Sequence, residues 1–147
     1  MMSAPAGQRL VALVVSPWEA DHEAGVEALV PEGWRVHWVA RCASAIHFLE
    51  KHEIPVVIAE RDLPDGNWQT LLNSLKQMAV PPKLIVTSPV ADDKLWSEVL
   101  HLGAADVLAQ PFCSREIFRS VCLAYRQWQR EQRNNTQVHN GLLVDAV

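Results

Sequence analysis

The stretch Ile54-Pro55-Val56-Val57-Ile58-Ala59-Glu60-Arg61-Asp62-Leu63-Pro64-Asp65-Gly66 constrains the fold of this 147-residue chain more than any other. A short, β-branched apolar run ends at a carboxylate, and a loop punctuated by Pro and Gly follows at once. An apolar run without polar alternation suits a strand covered on both faces, as in a parallel sheet. Open α/β sheets place ligands and chemistry at the carboxyl edge, where the last residue of each strand is delivered. Glu60 is therefore a candidate site residue by position, with Asp62, Asp65 and Trp68 beside it.

Four other runs share this character. Strands are expected over 9–16, 35–40, 55–60, 83–88 and 106–108. Helical patterns lie over 19–30, 44–52, 68–78, 92–102 and 114 to about 133. Strands alternating with helices argue for a doubly wound five-stranded parallel sheet with right-handed crossovers. The punctuation agrees. Pro31-Glu32-Gly33 stops the first helix, Pro81-Pro82 precedes the fourth strand, and Gly103 suits a helix C-cap. Asp92 and Ser114 are expected N-caps. One domain is expected over 9–133, with flexible tails at 1–8 and 134–147.

Hydrophobic residues at 49% and charged residues at 20% fit a soluble globular domain. A formal net charge of -4 disfavours a nucleic-acid partner, which demands clustered Lys and Arg. No apolar run approaches the roughly 20 residues that span a bilayer, and residues 1–8 lack the pattern of a signal peptide, so a cytoplasmic protein without a membrane partner is expected. Cys42, Cys113 and Cys122 lack metal-ligand spacing and read as reduced thiols. The six histidines form no ligand set either, so no metal site is expected.

Several motifs, in order, carry a family resemblance over residues 9 to 127. The first strand, Leu10 to Val15, ends at Ser16-Pro17. The third ends at Glu60, followed by Leu63-Pro64-Asp65. The fourth reads Leu84-Ile85-Val86-Thr87-Ser88. The block Gly103-Ala104-Ala105-Asp106-Val107-Leu108-Ala109-Gln110-Pro111-Phe112 comes last. Together these resemble a response-regulator receiver domain, which implies a flavodoxin-like (βα)5 fold and a place in two-component, phosphorelay-type signalling of bacterial kind. By that resemblance, an acidic pair and an acceptor Asp hold magnesium, while a hydroxyl residue and a Lys bind the phosphoryl oxygens.

This chain departs from the pattern. Ser16 and Pro17 stand at the acidic-pair positions and supply no anionic oxygen. Glu60 stands at the acceptor position and Gln110 at the Lys position. Thr87 keeps the family identity, and Val107 replaces the aromatic of the usual rotamer switch. Glu19 and Asp21, nearest in sequence to the lost acidic pair, fall on the first helix. Two readings of Glu60 stay open. Its longer side chain imitates a phosphorylated acceptor, or it simply accepts hydrogen bonds from Thr87, Gln110 or backbone N–H groups. Asp65 matches the family's loop Asp, with turn formation as its expected task. Trp68 is placed to cover the site.

The resemblance makes the face of the fourth helix, fifth strand and fifth helix a partner surface, with Trp96 and Trp128 as interface candidates and homodimerisation as one use. Trp34 reads as a core plug. The leading expectation is an atypical receiver module that works without phosphorylation, cofactor or catalysis. Its expected partners are a histidine kinase, an output domain or another regulator. The alternative is a phosphoacceptor with a rearranged acidic site. A flavodoxin-like enzyme is disfavoured because Ser16-Pro17-Trp18-Glu19 makes no glycine-rich phosphate cradle.

Overall fold

The computed structural model describes residues 10–145, with side chains described as far as residue 134. Five strands, β1 (Val11–Val15), β2 (Arg35–Val39), β3 (Val56–Glu60), β4 (Lys83–Ser88) and β5 (Asp106–Ala109), form one sheet of order β2-β1-β3-β4-β5. Every pairing in it is parallel. Five helices connect and follow them: α1 (Glu19–Leu29), α2 (Cys42–Lys51), α3 (Trp68–Lys76), α4 (Asp93–Leu102) and α5 (Ser114–Asp145). The doubly wound architecture expected from the alternation is the one observed.

The uninterrupted apolar runs in the central strands have a simple cause: both sheet faces are covered. All five residues of β1 and all five of β3 are buried. Alternate residues feed two cores. Leu13, Val57 and Val86 meet Leu71, Leu75 and Val99 on the face roofed by α2, α3 and α4. Ala12, Ile58 and Ile85 meet Leu29, Ile117 and Val121 on the face roofed by α1 and α5. Trp34 plugs the second core, edge-on to Tyr125 at 5.5 Å.

Two caps hold where expected. The Asp92 side chain accepts from the Leu95 N–H at 2.9 Å, and Gly103 closes α4 at φ 96. That left-handed backbone is nearly free for glycine alone.

Three features differ from expectation. A 3-10 turn, Val30–Glu32, extends α1 up to Gly33. A two-residue antiparallel pair, Asp62–Leu63 with Gly66–Asn67, follows β3. The third difference is the length of α5, which runs past the expected end near Arg133 to Asp145. The polar run from 134, expected as a flexible tail, is helical in backbone to that point. No proline follows Pro111, so the N–H ladder is not interrupted, and Asn, Thr and Gln each cost only some tenths of a kcal/mol in a helix. Its 32 residues make a rod of about 48 Å. The tail expected at 1–8, and residues 146–147, lie outside the described residues. Among the described residues no helix is long and apolar enough to cross a membrane.

Candidate functional site

Parallel register brings Glu60 level with Thr87 at the carboxyl edge, and the loops after β1 and β5 close over them. Glu60 is only 6% exposed. Its Oε2 accepts from the Thr87 hydroxyl at 3.1 Å and from the Gln110 amide at 2.9 Å. The same amide nitrogen donates to Asp21 Oδ1 at 2.8 Å. Ser16 completes the chain: its hydroxyl donates to Asp21 Oδ2 at 2.6 Å. Its Oγ also accepts from the Trp18 N–H at 3.1 Å, and its carbonyl accepts from the Trp38 indole at 2.8 Å. Four loops and strand ends are thereby tied through two carboxylates, one amide and two hydroxyls.

Burial pushes the Glu60 carboxyl up to about 7, against the pull of the Thr87 hydrogen bond; the Asp21 carboxylate adds to the rise and the Gln110 bond opposes it. A cavity of only about 10 Å³ remains beside it, walled by apolar Ile58, Leu108 and Phe112, room for one water at most. The site is filled by its own side chains.

Asp21 is the member that sequence reasoning set aside as a helix residue. It reaches the edge because α1 lies unusually close to β1. A Cβ built on Gly25 meets Val14 Cγ2 at 3.3 Å, and Asp21 sits one turn earlier on the same helix face. The signal in the sequence was that spacing of a carboxylate and a glycine. Pro17, beside Ser16, offers no polar side-chain atom.

The loop residues divide. Asp65 does more than serve its own turn: besides a bond from its own backbone N–H, its two oxygens accept from the N–H groups of Cys42 at 2.8 Å and Ala43 at 2.9 Å. It caps α2 from another loop, which is why that helix begins two residues earlier than expected. Those N–H bonds, chiefly that of Ala43, hold the Asp65 carboxyl below the usual carboxylate range. Burial, aided by the nearby Asp65 charge, pushes the Cys42 thiol up to about 11. Asp62 is exposed and paired with Arg61 at 3.0 Å. Trp68, expected as a cover, is buried in the α2–α3–α4 core and does not line the Glu60 cavity. It starts α3, and its ring follows the inward stripe continued by Leu71, Leu72 and Leu75. Val107 fills the same core.

Trp96 is 37% exposed on α4, with Leu100 one turn on at 56%. Trp128 is elsewhere. It stacks on Tyr125 and faces Val11 and Arg35 at the amino edge of the sheet, because it continues the inward stripe of Ile117, Val121 and Ala124. It is therefore removed from the face of α4, β5 and α5. Among the described residues, no three His, Cys, Asp or Glu side chains gather as a metal ligand set.

No protein-family model matches the chain. Regulatory protein VanRc of Enterococcus gallinarum is 32% identical over 100 residues, covering 67% of this chain and 42% of that protein. Transcriptional regulatory protein CpxR of Escherichia coli is 28% identical over 124 residues, covering 82% of this chain and 52% of its own. The chain thus spans about half, or less, of the length of these curated relatives. Among solved structures, the signal receiver domain of an HD domain-containing protein from Pseudomonas fluorescens aligns with a TM-score of 0.78 at 22% identity, covering 90% of this chain and 98% of that one. A CheY-like response regulator receiver domain protein from Methanospirillum hungatei aligns at 0.73 and 19%, covering 84% and 99%. Strand order, edge geometry and these likenesses agree: the fold of this chain is that of a response-regulator receiver domain.

Proposed function

We propose that the chain is a receiver module of two-component-type signalling that works without phosphoryl transfer, through protein contacts. One observation carries the reading: the Glu60 carboxyl, at the acceptor position, already takes the hydrogen bonds of Thr87 and Gln110, which stand at the positions of the hydroxyl residue and the Lys that the family resemblance assigns to phosphoryl oxygens. On this reading the Glu60 carboxyl takes up contacts that a phosphoryl group on an acceptor Asp would otherwise make.

Magnesium, implied by the fold family, does not fit the residues present. The Ser16 hydroxyl is spent on Asp21, Pro17 offers no oxygen donor in its side chain, and the Gln110 amide stands between the two carboxylates that a cation would need. Output then rests on surfaces. Trp96 and Leu100, adjacent and exposed on α4, support that helix with β5 and α5 as the partner-binding or self-associating face. A histidine kinase, an output domain or another regulator is the class of partner.

A second reading, a phosphoacceptor with a rearranged acidic site, draws on Asp21, whose carboxylate lies one amide away from Glu60. One experiment separates the two. The chain is incubated with acetyl phosphate and magnesium, followed by intact mass and tryptophan fluorescence. The first reading expects unmodified protein and no saturable magnesium-dependent quench. A phosphorylated species would establish the second.

A further inference from the structure

At the amino edge of the sheet, opposite Glu60, lies a cavity of about 380 Å³ that the signalling role leaves unused. Rings form its sides. His37, Phe48 and His52 make one run, with centroids 5.0 and 4.4 Å apart. Tyr125 and Trp128 make the other, stacked at 6.1 Å with 13° between their planes. Buried Val11, Ile54 and Pro55 supply the apolar floor. Arg35 and Lys51 bring two cations, and Glu53 is the one acid in the lining.

One further detail marks the place. Trp128 Nε1 is a buried donor with no acceptor, the only such side-chain atom among the described residues. A buried N–H left unpaired costs on the order of 1–3 kcal/mol, so a native structure that keeps one invites an occupant with an acceptor.

The geometry points to a binding site for a small aromatic monoanion: a flat ring bearing one carboxylate, sulfonate or comparable group. The volume suits a small molecule rather than a bare ion. The ring-lined sides take the faces or edges of an aromatic body. Two cations against one carboxylate leave a single net positive charge for the anionic group, with the planar Arg35 fork as its natural partner. Inorganic anions use none of the apolar lining, and neutral rings use none of the charge.

The test is an NMR titration of the intact chain with 1-naphthalenesulfonate, following the Trp128 indole N–H signal, assigned by its loss in Trp128→Phe. That signal is expected to move saturably. Arg35→Ala and Lys51→Ala, both at exposed positions, are expected to keep the native spectrum and to weaken binding about fivefold or more each. Neutral 1-naphthalenemethanol is expected to bind at least about tenfold more weakly, and sulfate alone to move nothing. No saturable movement overturns the proposal. So does equal binding of the neutral ring, or affinity unchanged in both variants.

Discussion

Glu60 holds a carboxyl whose folded value, about 7, lies above the ordinary value of 4.5. Between those limits the folded chain binds more protons than the unfolded one. Stability is therefore highest below the lower value and falls as pH rises through the window, by up to about 1.4 kcal/mol per pH unit, before levelling off above it. Glu60→Gln keeps a carbonyl for Thr87 and Gln110 and removes the charge. Its urea midpoint is expected to lose most of the fall between pH 4.5 and 7, and to exceed that of the wild type at pH 8. A variant that tracks the wild type across this range would show that Glu60 is not the titrating group. Glu60→Asp tests the site differently. Shortening the side chain leaves Ser16, Pro17 and Gln110 unchanged, so transition-state charge stays unneutralised and acetyl phosphate is expected to leave this variant unlabelled. Robust labelling would count against the reading of the metal site.

Among the elements, α2 owes its start to a carboxylate from another loop. Asp65→Ala is expected to cost about 1 kcal/mol and to speed hydrogen exchange at the Cys42 and Ala43 amides more than elsewhere. Because the Asp65 carboxyl is held low, its stabilising effect is present above the ordinary carboxylate range and is lost as pH falls through the folded value. If exchange at those amides is unmoved, the cap is not what orders the first turn. Strands and most helix bounds were legible because apolar periodicity is local and both sheet faces are covered. The capping role of Asp65 was missed because Cys42 and Ala43 lie 23 and 22 residues away, beyond the reach of any turn rule. Trp128 was misplaced for a different reason. The stripe of 117, 121, 124 and 128 was in the sequence, but family analogy assigned the whole helix to one face. Asp21 was missed because its place depends on how closely two elements pack, which Gly25 decides and periodicity alone does not express.

For the whole molecule, the question is which surface faces a partner. Trp96→Ala is expected to leave the fold intact and to weaken self- or partner association by more than about 1 kcal/mol, read by sedimentation across a concentration series. Beryllofluoride, a phosphoryl analogue, is expected to leave that association unchanged. A monomeric wild type that also captures no partner through this face would sink the assignment. Unfolding of Trp96→Ala would instead make the indole a packing residue. Of the five site positions expected from motif order, 16, 17, 60, 87 and 110, all but Pro17 join one hydrogen-bonded chain at the carboxyl edge, since a parallel sheet brings the carboxyl ends of its strands together whatever residues they carry.

The Gln110 amide has a consequence for how this edge could change over generations. It is a neutral spacer between two acids, Asp21 and Glu60, and its nitrogen donates to both. Cut it back to alanine and each acid keeps only its hydroxyl donor, Ser16 for Asp21 and Thr87 for Glu60, with the neutral spacer between them gone. Such a gap draws in a proton or a counter-ion. One neutral side chain therefore keeps two acids apart at this edge, and its loss favours a proton held between them.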